Sequence, residues 1–481
     1  MRKIFYVELI FIIFFLVLRL VNLGLLPIFT DEAIYIRWTQ IANQDPAWRF
    51  ISLTDGKQPL FIWLNMISQR IFSEPLFAGR IISVLAAIFS TVGIYFLGKE
   101  LFGKKIGLYS GLIWAILPFA FWHERLALMD SLLATFAIWC LFLQVRLCRK
   151  PILETALLFG IVAGGGLLTK SSALFFLLLL PLGLLVTEFP TRKSFIAWLI
   201  FIFIGVFIAQ ILNSVQRLSP FFYIVGQKNL TFIYSFKEIM SFSLPNTWQR
   251  FWGNITGLSN WLYVYLTPGF IFLIILALAD LKKNIREKLF LTFWFLIPFI
   301  ALAFFGKVIY PRFILFMIVP LVVLVAKGLE KINLILAVLI FIYPIYFNFQ
   351  TVFNPVETPL PPVDRGQYLD DWPAGWGIKE VIAYLNEKSQ SEKIVLGTEG
   401  TFGLTPYAFE IYLWRNQNIE IKGFWPISTG IGWLEAKSLQ KTTYLVLKDT
   451  QKPDPAWKIE LIAKYKRGKG ENYLGFYKLK Q

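Results

Sequence analysis

Apolar runs long enough to cross a bilayer recur through the first 349 residues, separated by short polar gaps. A helix needs roughly 17–25 mostly apolar residues to span ~30 Å of hydrocarbon. On that rule the pattern predicts about eleven spans, near 5–24, 79–98, 106–122, 130–147, 154–168, 172–187, 194–212, 263–280, 289–305, 312–326 and 332–349. The fifth and sixth are short and read as a tight hairpin. Two longer gaps carry structure of their own. Within 25–78, residues 33–42 and 59–72 place apolar and aromatic positions on one side, which suits helices lying in the membrane interface. Residues 213–262 are rich in Trp, Phe and Tyr, the usual anchors of a chain at headgroup depth.

After residue 349 the pattern changes. A Pro-rich linker (350–365) leads into 366–481, where residues 376–387 have helical spacing, with Ile378, Val381, Ile382 and Leu385 on one face. Residues 407–414 predict another helix. Strand-like runs occur at 393–397, 419–421, 443–447 and 473–479. The fold class is therefore an α-helical polytopic membrane protein, in which 1–349 form the transmembrane domain, with a small C-terminal α/β domain.

Composition agrees. The chain is 57% hydrophobic and only 16% charged, with a mean hydropathy of +0.61, which excludes an ordinary soluble domain. The net charge of +17 is uneven, +15 over 1–349 and +2 over 350–481. Basic residues recur in alternate gaps: Arg2 and Lys3, Lys99 with Lys104 and Lys105, Arg146 with Arg149 and Lys150, Arg192 and Lys193, Lys282 to Lys288, then Lys327 and Lys331. Short basic loops stay cytoplasmic, so the N-terminus is expected inside the cell and the C-terminal domain outside. Anionic lipid headgroups, not nucleic acid, suit such an excess. Cys140 and Cys148 share the fourth span, leaving no disulfide framework or zinc pattern. The basic, apolar N-terminus lacks a small-residue cleavage site and reads as a retained helix.

The remaining charges on the outer side fall in a few loops. They contain Asp31 and Glu32, Asp55 to Leu60, His123 to Arg125 with Asp130, Thr169 and Lys170, and Lys307 to Arg312. Ionisable groups held close to hydrocarbon are costly unless used or paired, which makes them functional candidates. They are read together as one active site. A carboxylate at 31 or 32 could act as general base toward a hydroxyl or amine, although acids there also suit a helix N-terminus. Neighbouring residues of a helix point about 100° apart, so the two do not share one proton. Lys57, Arg125, Lys170 and Arg312 would, if they converge, bind a phosphate and stabilise it as a leaving group; each alone also suits snorkelling to headgroups. Asp130 and Glu124 are additional acids, Asp130 doubling as a helix cap. His123, the sole histidine, reads as interfacial. No nucleotide-binding glycine pattern is present, and Gly164 to Gly166 suit close helix packing.

These motifs resemble the GT-C membrane glycosyltransferases, specifically the protein O-mannosyltransferase-like family and its bacterial relative, the lipid A aminoarabinose transferases. The resemblance rests on Asp31, Glu32, Ala33 and Tyr35 after span one. Gly56 to Leu60, Ala78 to Arg80, Arg125 with Asp130, Leu168 to Lys170 and Pro311 to Phe313 complete it. It implies inverting transfer of one sugar from a polyprenyl-phosphate donor to a cell-envelope acceptor (lipid, glycan or protein) on the outer face of the membrane. It further implies that Asp31, with Glu32, activates the acceptor and that Lys57, Arg312, Arg80, Arg125, Lys170 and Tyr310 hold the donor phosphate. Gln58 stands where the family often has proline, and the extra outer repeats of protein-mannosylating members are absent, which counts against a protein acceptor. Metal use is left open; the oxygen ligands of Asp31, Glu32, Glu124 and Asp130 would suit a hard divalent cation. The alternative is a transporter or flippase of an envelope lipid, which would carry its charges nearer mid-membrane. A catalytically inactive scaffold is the third reading.

Overall fold

The computed structural model describes residues 2–480 apart from 188, 190, 281 and 282, with side chains from residue 9 onward. The side chains of Arg2 and Lys3, and Lys282 altogether, lie outside the described residues. Contacts divide the chain into two units. The first comprises Met1–Leu23, Ala47–Leu64 and Arg80–Pro359; the second comprises Gly24–Pro46, Asn65–Gly79 and Leu360–Gln481.

The first unit is helical. Among the described residues six helices are long and apolar enough to cross a membrane: Pro75–Phe102, Met129–Arg149, Arg192–Leu218, Leu244–Ala279, Ile285–Phe305 and Leu334–Phe353. Shorter apolar helices cover Leu9–Leu18, Leu153–Leu167, Ser171–Val186 and Val319–Leu329. This is a multi-pass membrane protein. The outward sides of several spans are apolar, as lipid requires and water would penalise; Phe203 is 69% exposed.

Where the spans differ from the sequence reading, prolines and charges account for it. The predicted span 106–122 is two helices, Lys104–Ile116 and Pro118–His123, because Pro118 has no N–H to continue the first. The first helix stops at Leu18, just before Arg19. Leu244–Ala279 is one helix kinked at Thr267, ahead of Pro268, so the aromatic loop predicted over 213–262 is helical from Leu244 onward. The 172–187 segment is short 3-10 and α turns rather than a regular span. A Cβ at Gly164, Gly165 or Gly166 would come within 2.6, 2.6 or 2.7 Å of Leu212, Phe136 or Phe176 respectively, so that run is a close packing face, as the sequence suggested.

The basic loops gather at one end of this unit. Arg146 and Arg149 pair with Glu100 at 3.3 and 3.5 Å, Arg149 reaches Glu287 at 3.7 Å, and Lys105 reaches Glu330 at 3.8 Å. The alternation of basic gaps therefore corresponds to a real grouping in space. Cys140 and Cys148 are free and buried.

The second unit is built on a five-stranded sheet of order β2-β1-β3-β5-β4, with β1 Ile394–Glu399, β2 Ile419–Phe424, β3 Thr442–Leu447, β4 Ile459–Lys466 and β5 Tyr473–Leu479. Strands β1, β2 and β3 are parallel, while β5 runs antiparallel to β3 and β4 antiparallel to β5. Every residue of central β1 is buried, which explains its continuous apolar run. Edge strand β4 is mostly exposed, so its mixed Ile-Glu-Leu-Ile-Ala-Lys sequence carried little signal. The helix Ser428–Ser438 also escaped sequence reading, since Gly430 and Gly432 make it a poor helix former. It covers one face of the sheet through Ile431 and Leu434, against Val395, Leu445 and Leu447.

Chain from the first long loop completes this unit. The helix Thr30–Gln44 packs on the helix Leu404–Leu413 through an Arg37–Glu410 ion pair of 2.6 Å and a Gln40 amide donating to the Ile411 carbonyl at 2.8 Å. The Tyr412 hydroxyl donates to Glu74 at 2.7 Å. The boundaries expected at 1–349 and 366–481 thus shift, because residues 24–46 and 65–79 group with the C-terminal sheet.

Candidate active site

In the first unit, three loops bring ionisable groups together. The loop after the 3-10 turn Ile51–Asp55 docks on the loop that follows the helix Leu153–Leu167. The Leu60 amide donates to the Leu168 carbonyl at 3.0 Å, and the Gln58 amide donates to the Ser171 hydroxyl at 2.6 Å. Lys57 and Lys170 are the residues immediately before those two side chains, so the docking sets both cations beside one contact. Gly56 makes the turn possible. Its φ of +66° favours glycine, and a Cβ there would lie 2.4 Å from the Lys228 Cβ.

Asp130 lies in the first turn of the helix Met129–Arg149 and is nearly buried, with Lys170 donating to it at 2.6 Å and Arg312 forming an ion pair with it at 3.9 Å. Lys170 also lies 4.3 Å from the centre of the Phe313 ring, and Arg312 lies 4.9 Å from that of Tyr310. Asp55 pairs with Lys228 at 2.6 Å and Lys57 at 3.6 Å. The segment carrying Tyr310 and Arg312 is anchored by the Lys307 amide donating to the Phe232 carbonyl at 2.8 Å. The Asn254 amide donates to the carbonyls of Ala303 and Gly306 at 2.9 and 3.0 Å, a structural use of that residue. Lys57 and Lys228 thus pair with Asp55, and Lys170 and Arg312 with Asp130. Lys228 was missed in the sequence because it lay in a gap read as aromatic anchoring.

Three predicted residues have other partners. Arg125 is fully buried and donates to the carbonyls of Leu18, Arg19 and Asn22 at 3.0, 2.8 and 3.1 Å. Arg80, also buried, donates to the Leu23 carbonyl at 2.7 Å. Glu124 pairs with Arg19 at 2.6 Å and accepts from the Trp114 indole at 2.9 Å. Arg125 thus holds the last carbonyl of the first helix and, with Arg80, the turn that follows it. His123 is buried, with its ring hydrogen-bonding the Phe119 carbonyl at 3.0 Å.

Asp31 and Glu32 belong to the second unit. Glu32 is buried and its carboxylate accepts from the Phe29 amide at 2.9 Å, closing the first turn of the helix as a capping box does. Asp31 is half-buried. Among the described residues no three His, Cys, Asp or Glu side chains gather where they could hold a metal ion.

Residues 56–212 match the family model described as dolichyl-phosphate-mannose-protein mannosyltransferase. The undecaprenyl phosphate-alpha-4-amino-4-deoxy-L-arabinose arabinosyl transferase of Wigglesworthia glossinidia brevipalpis is 25% identical over 337 residues, 63% of this chain and 55% of that protein. The match thus spans about half the length of that curated relative. ArnT from Cupriavidus metallidurans in the apo state superposes with a TM-score of 0.63 at 14% identity over 97% of both chains. The same protein bound to undecaprenyl phosphate gives 0.61 at 13% identity, again over 97% of both. The chain has the fold of these GT-C-type proteins, and the resemblance read from its loops to mannosyltransferase-like and aminoarabinose transferase families holds.

Proposed function

We propose that this protein is a membrane glycosyltransferase that moves a single sugar, with inversion, from a polyprenyl-phosphate donor to a cell-envelope acceptor on the outer face of the membrane. In this reading an acceptor oxygen or nitrogen attacks the anomeric carbon from the side opposite the phosphate and gives its proton to Asp31. The bond from that carbon to the phosphate oxygen breaks, and its electron pair leaves with the phosphate. Lys57, Lys170 and Arg312 hold the developing charge, with Tyr310 beside Arg312. The observation that carries the reading is the docked pair of loops at Lys57 and Lys170, which joins Lys57 to the cluster of Asp130, Lys170 and Arg312. A phosphate diester or monoester is what such a set of donors suits. The undecaprenyl phosphate bound to ArnT supports a lipid-linked donor, and the similarity to an arabinosyl transferase supports sugar transfer. Arg80, Arg125 and Glu124 are left out of the reacting set because main-chain carbonyls and Arg19 occupy them.

The test uses purified protein, a radiolabelled polyprenyl-phosphate sugar and candidate envelope acceptors. Asp31→Asn is expected to cut turnover by roughly 10²–10⁴-fold, the usual worth of a general base, while donor binding stays as in the wild type. Turnover by Asp31→Asn equal to that of the parent would end the assignment of the base.

A further inference from the structure

The sheet of the second unit has a feature the transfer reaction does not use. Its order places β2 and β3 on opposite sides of β1, so the connections leaving β1 and β2 run in opposite directions. In open α/β sheets ligands bind outside the carboxyl ends of the strands at such a reversal. Here those ends are Glu399 with Gly400, Phe424 with Trp425, and Lys448 with Asp449. They converge: the Gly400 amide donates to the Phe424 carbonyl at 2.7 Å, and a Cβ on Gly400 would sit 3.4 Å from the Lys448 ammonium.

The side chains at this edge are arranged for a guest. Lys448 is 7% exposed, yet its ammonium makes no hydrogen bond or ion pair among the described residues. It lies 4.5 Å from the centre of the Trp372 ring and 5.5 Å from that of Trp425. Burial of the side chain pushes the Lys448 pKa below its ordinary value, against the opposing pull of Glu399. The two carboxylate oxygens of Glu399 accept from the Lys448 amide at 2.7 Å and from the Thr450 hydroxyl. Arg467 braces the edge from below, donating to the carbonyls of Ala374 and Lys448 at 2.9 and 3.1 Å. Its remaining Nη2 is buried without a partner among the described residues. Trp372 and Trp425 are 39% and 56% exposed and offer flat apolar faces close to the charge.

We infer that this edge is a binding site for a saccharide carrying an anionic group, with the anion accepting hydrogen bonds from Lys448 and the sugar ring lying against Trp372 and Trp425. Lys448 and the orphaned Arg467 Nη2 offer donors to ligand oxygens beside the acids Glu399, Asp449 and Asp371, and the two indoles offer faces to a ring with an apolar side. The Thr30 amide donates to the Pro373 carbonyl at 3.1 Å, so the site adjoins the segment that carries Asp31. A role in holding the sugar acceptor rests on the proposed function; binding itself does not.

Calorimetric titration of the full-length protein in detergent, without donor, separates the two claims. The probes are glucuronate, glucose 6-phosphate, glucose and inorganic phosphate. Glucuronate or glucose 6-phosphate is expected to bind at least ~10-fold more tightly than glucose or phosphate alone, a difference of ~1.4 kcal/mol, and the better of the two names the anion. Lys448→Met is expected to weaken that probe ~10-fold or more. Trp425→Ala, at an exposed position that leaves the core intact, is expected to weaken it several-fold. Equal binding of phosphate and sugar phosphate would reduce the edge to a bare anion site and overturn the proposal. So would the absence of binding by any probe, or unchanged binding by Trp425→Ala. A negative titration beside intact turnover leaves the transferase reading standing, whereas positive binding without turnover does the reverse.

Discussion

Two groups of cations in the first unit look alike along the chain and behave differently in space. Arg19, Arg80 and Arg125 are each 0% exposed, and the hydrogen bonds above commit them to carbonyls at the end of the first helix and to Glu124. Lys57, Lys170, Lys228 and Arg312 keep side-chain exposures of 19%, 26%, 29% and 11%. The acids paired with them are Asp55 and Asp130. A charge at the end of a span is thus not by itself a ligand site. What separates the two groups is burial and the kind of partner, since a guanidinium has five donors and buried main-chain carbonyls can absorb them.

The comparison breaks most visibly at Glu124. Glu124→Gln would leave Arg19 buried without its counter-charge, and losing one partner of a buried pair costs roughly 3–5 kcal/mol. The expected result is a steep fall in the thermal midpoint of the purified protein, with the donor KM of whatever folds unchanged. A variant of normal stability with ~10-fold lower turnover would instead assign Glu124 to the chemistry and erase the distinction between the two groups.

A reciprocal pair sharpens it next. Arg312→Gln is expected to raise the donor KM about 10-fold or more, since a hydrogen bond to a charged partner contributes ~1.5–3 kcal/mol, and to move the thermal midpoint little. Arg125→Gln is expected to do the opposite: lower stability with donor KM near the parent value. Titrating a polyprenyl-phosphate sugar against each, alongside thermal unfolding, reads both halves. If Arg125→Gln raised the donor KM as much as Arg312→Gln, the buried group would belong to the phosphate site after all.

The sequence carried much of this in unequal measure. Apolar runs announced the spans, and the single-faced helix read over 376–387 and the buried strand read over 393–397 appear at Ile378–Lys388 and Ile394–Glu399, because periodicity and β-branched content are local properties. Pairing choices are not local. Nothing in His123-Glu124-Arg125 tells whether Arg125 turns toward a ligand or toward the carbonyls of residues 18–22, more than a hundred positions earlier in the chain. The neighbouring acids at 31 and 32 were separable in principle, since Glu32 stands at the third position of the helix, where a carboxylate closes a cap. Lys228 was hidden by a different cause: its partner Asp55 lies 173 positions away, and its surroundings read as aromatic anchoring. The Lys448 edge was silent for a third reason, because it exists only once the strand order is known.

The smallest effect distinguishes the docked loop from the charges it carries. Gly56→Ala removes no charge and touches no donor of the buried group. It asks the backbone to hold φ at +66° with a side chain and pushes a methyl to 2.4 Å from the Lys228 Cβ, so the turn must open, at a cost on the order of 1–3 kcal/mol. Because the same turn sets Lys57 and the Gln58 contact with Ser171, the strain should be relieved by moving Lys57 away from Lys170. The expected readout is a rise of about 3–10-fold in donor KM, equivalent to ~1 kcal/mol of binding, with turnover at saturating donor nearly kept and no change in probe binding at the Lys448 edge. A donor KM equal to that of the parent would mean that Lys57 does not need this loop geometry. The phosphate would then be held by Lys170 and Arg312 at Asp130 alone.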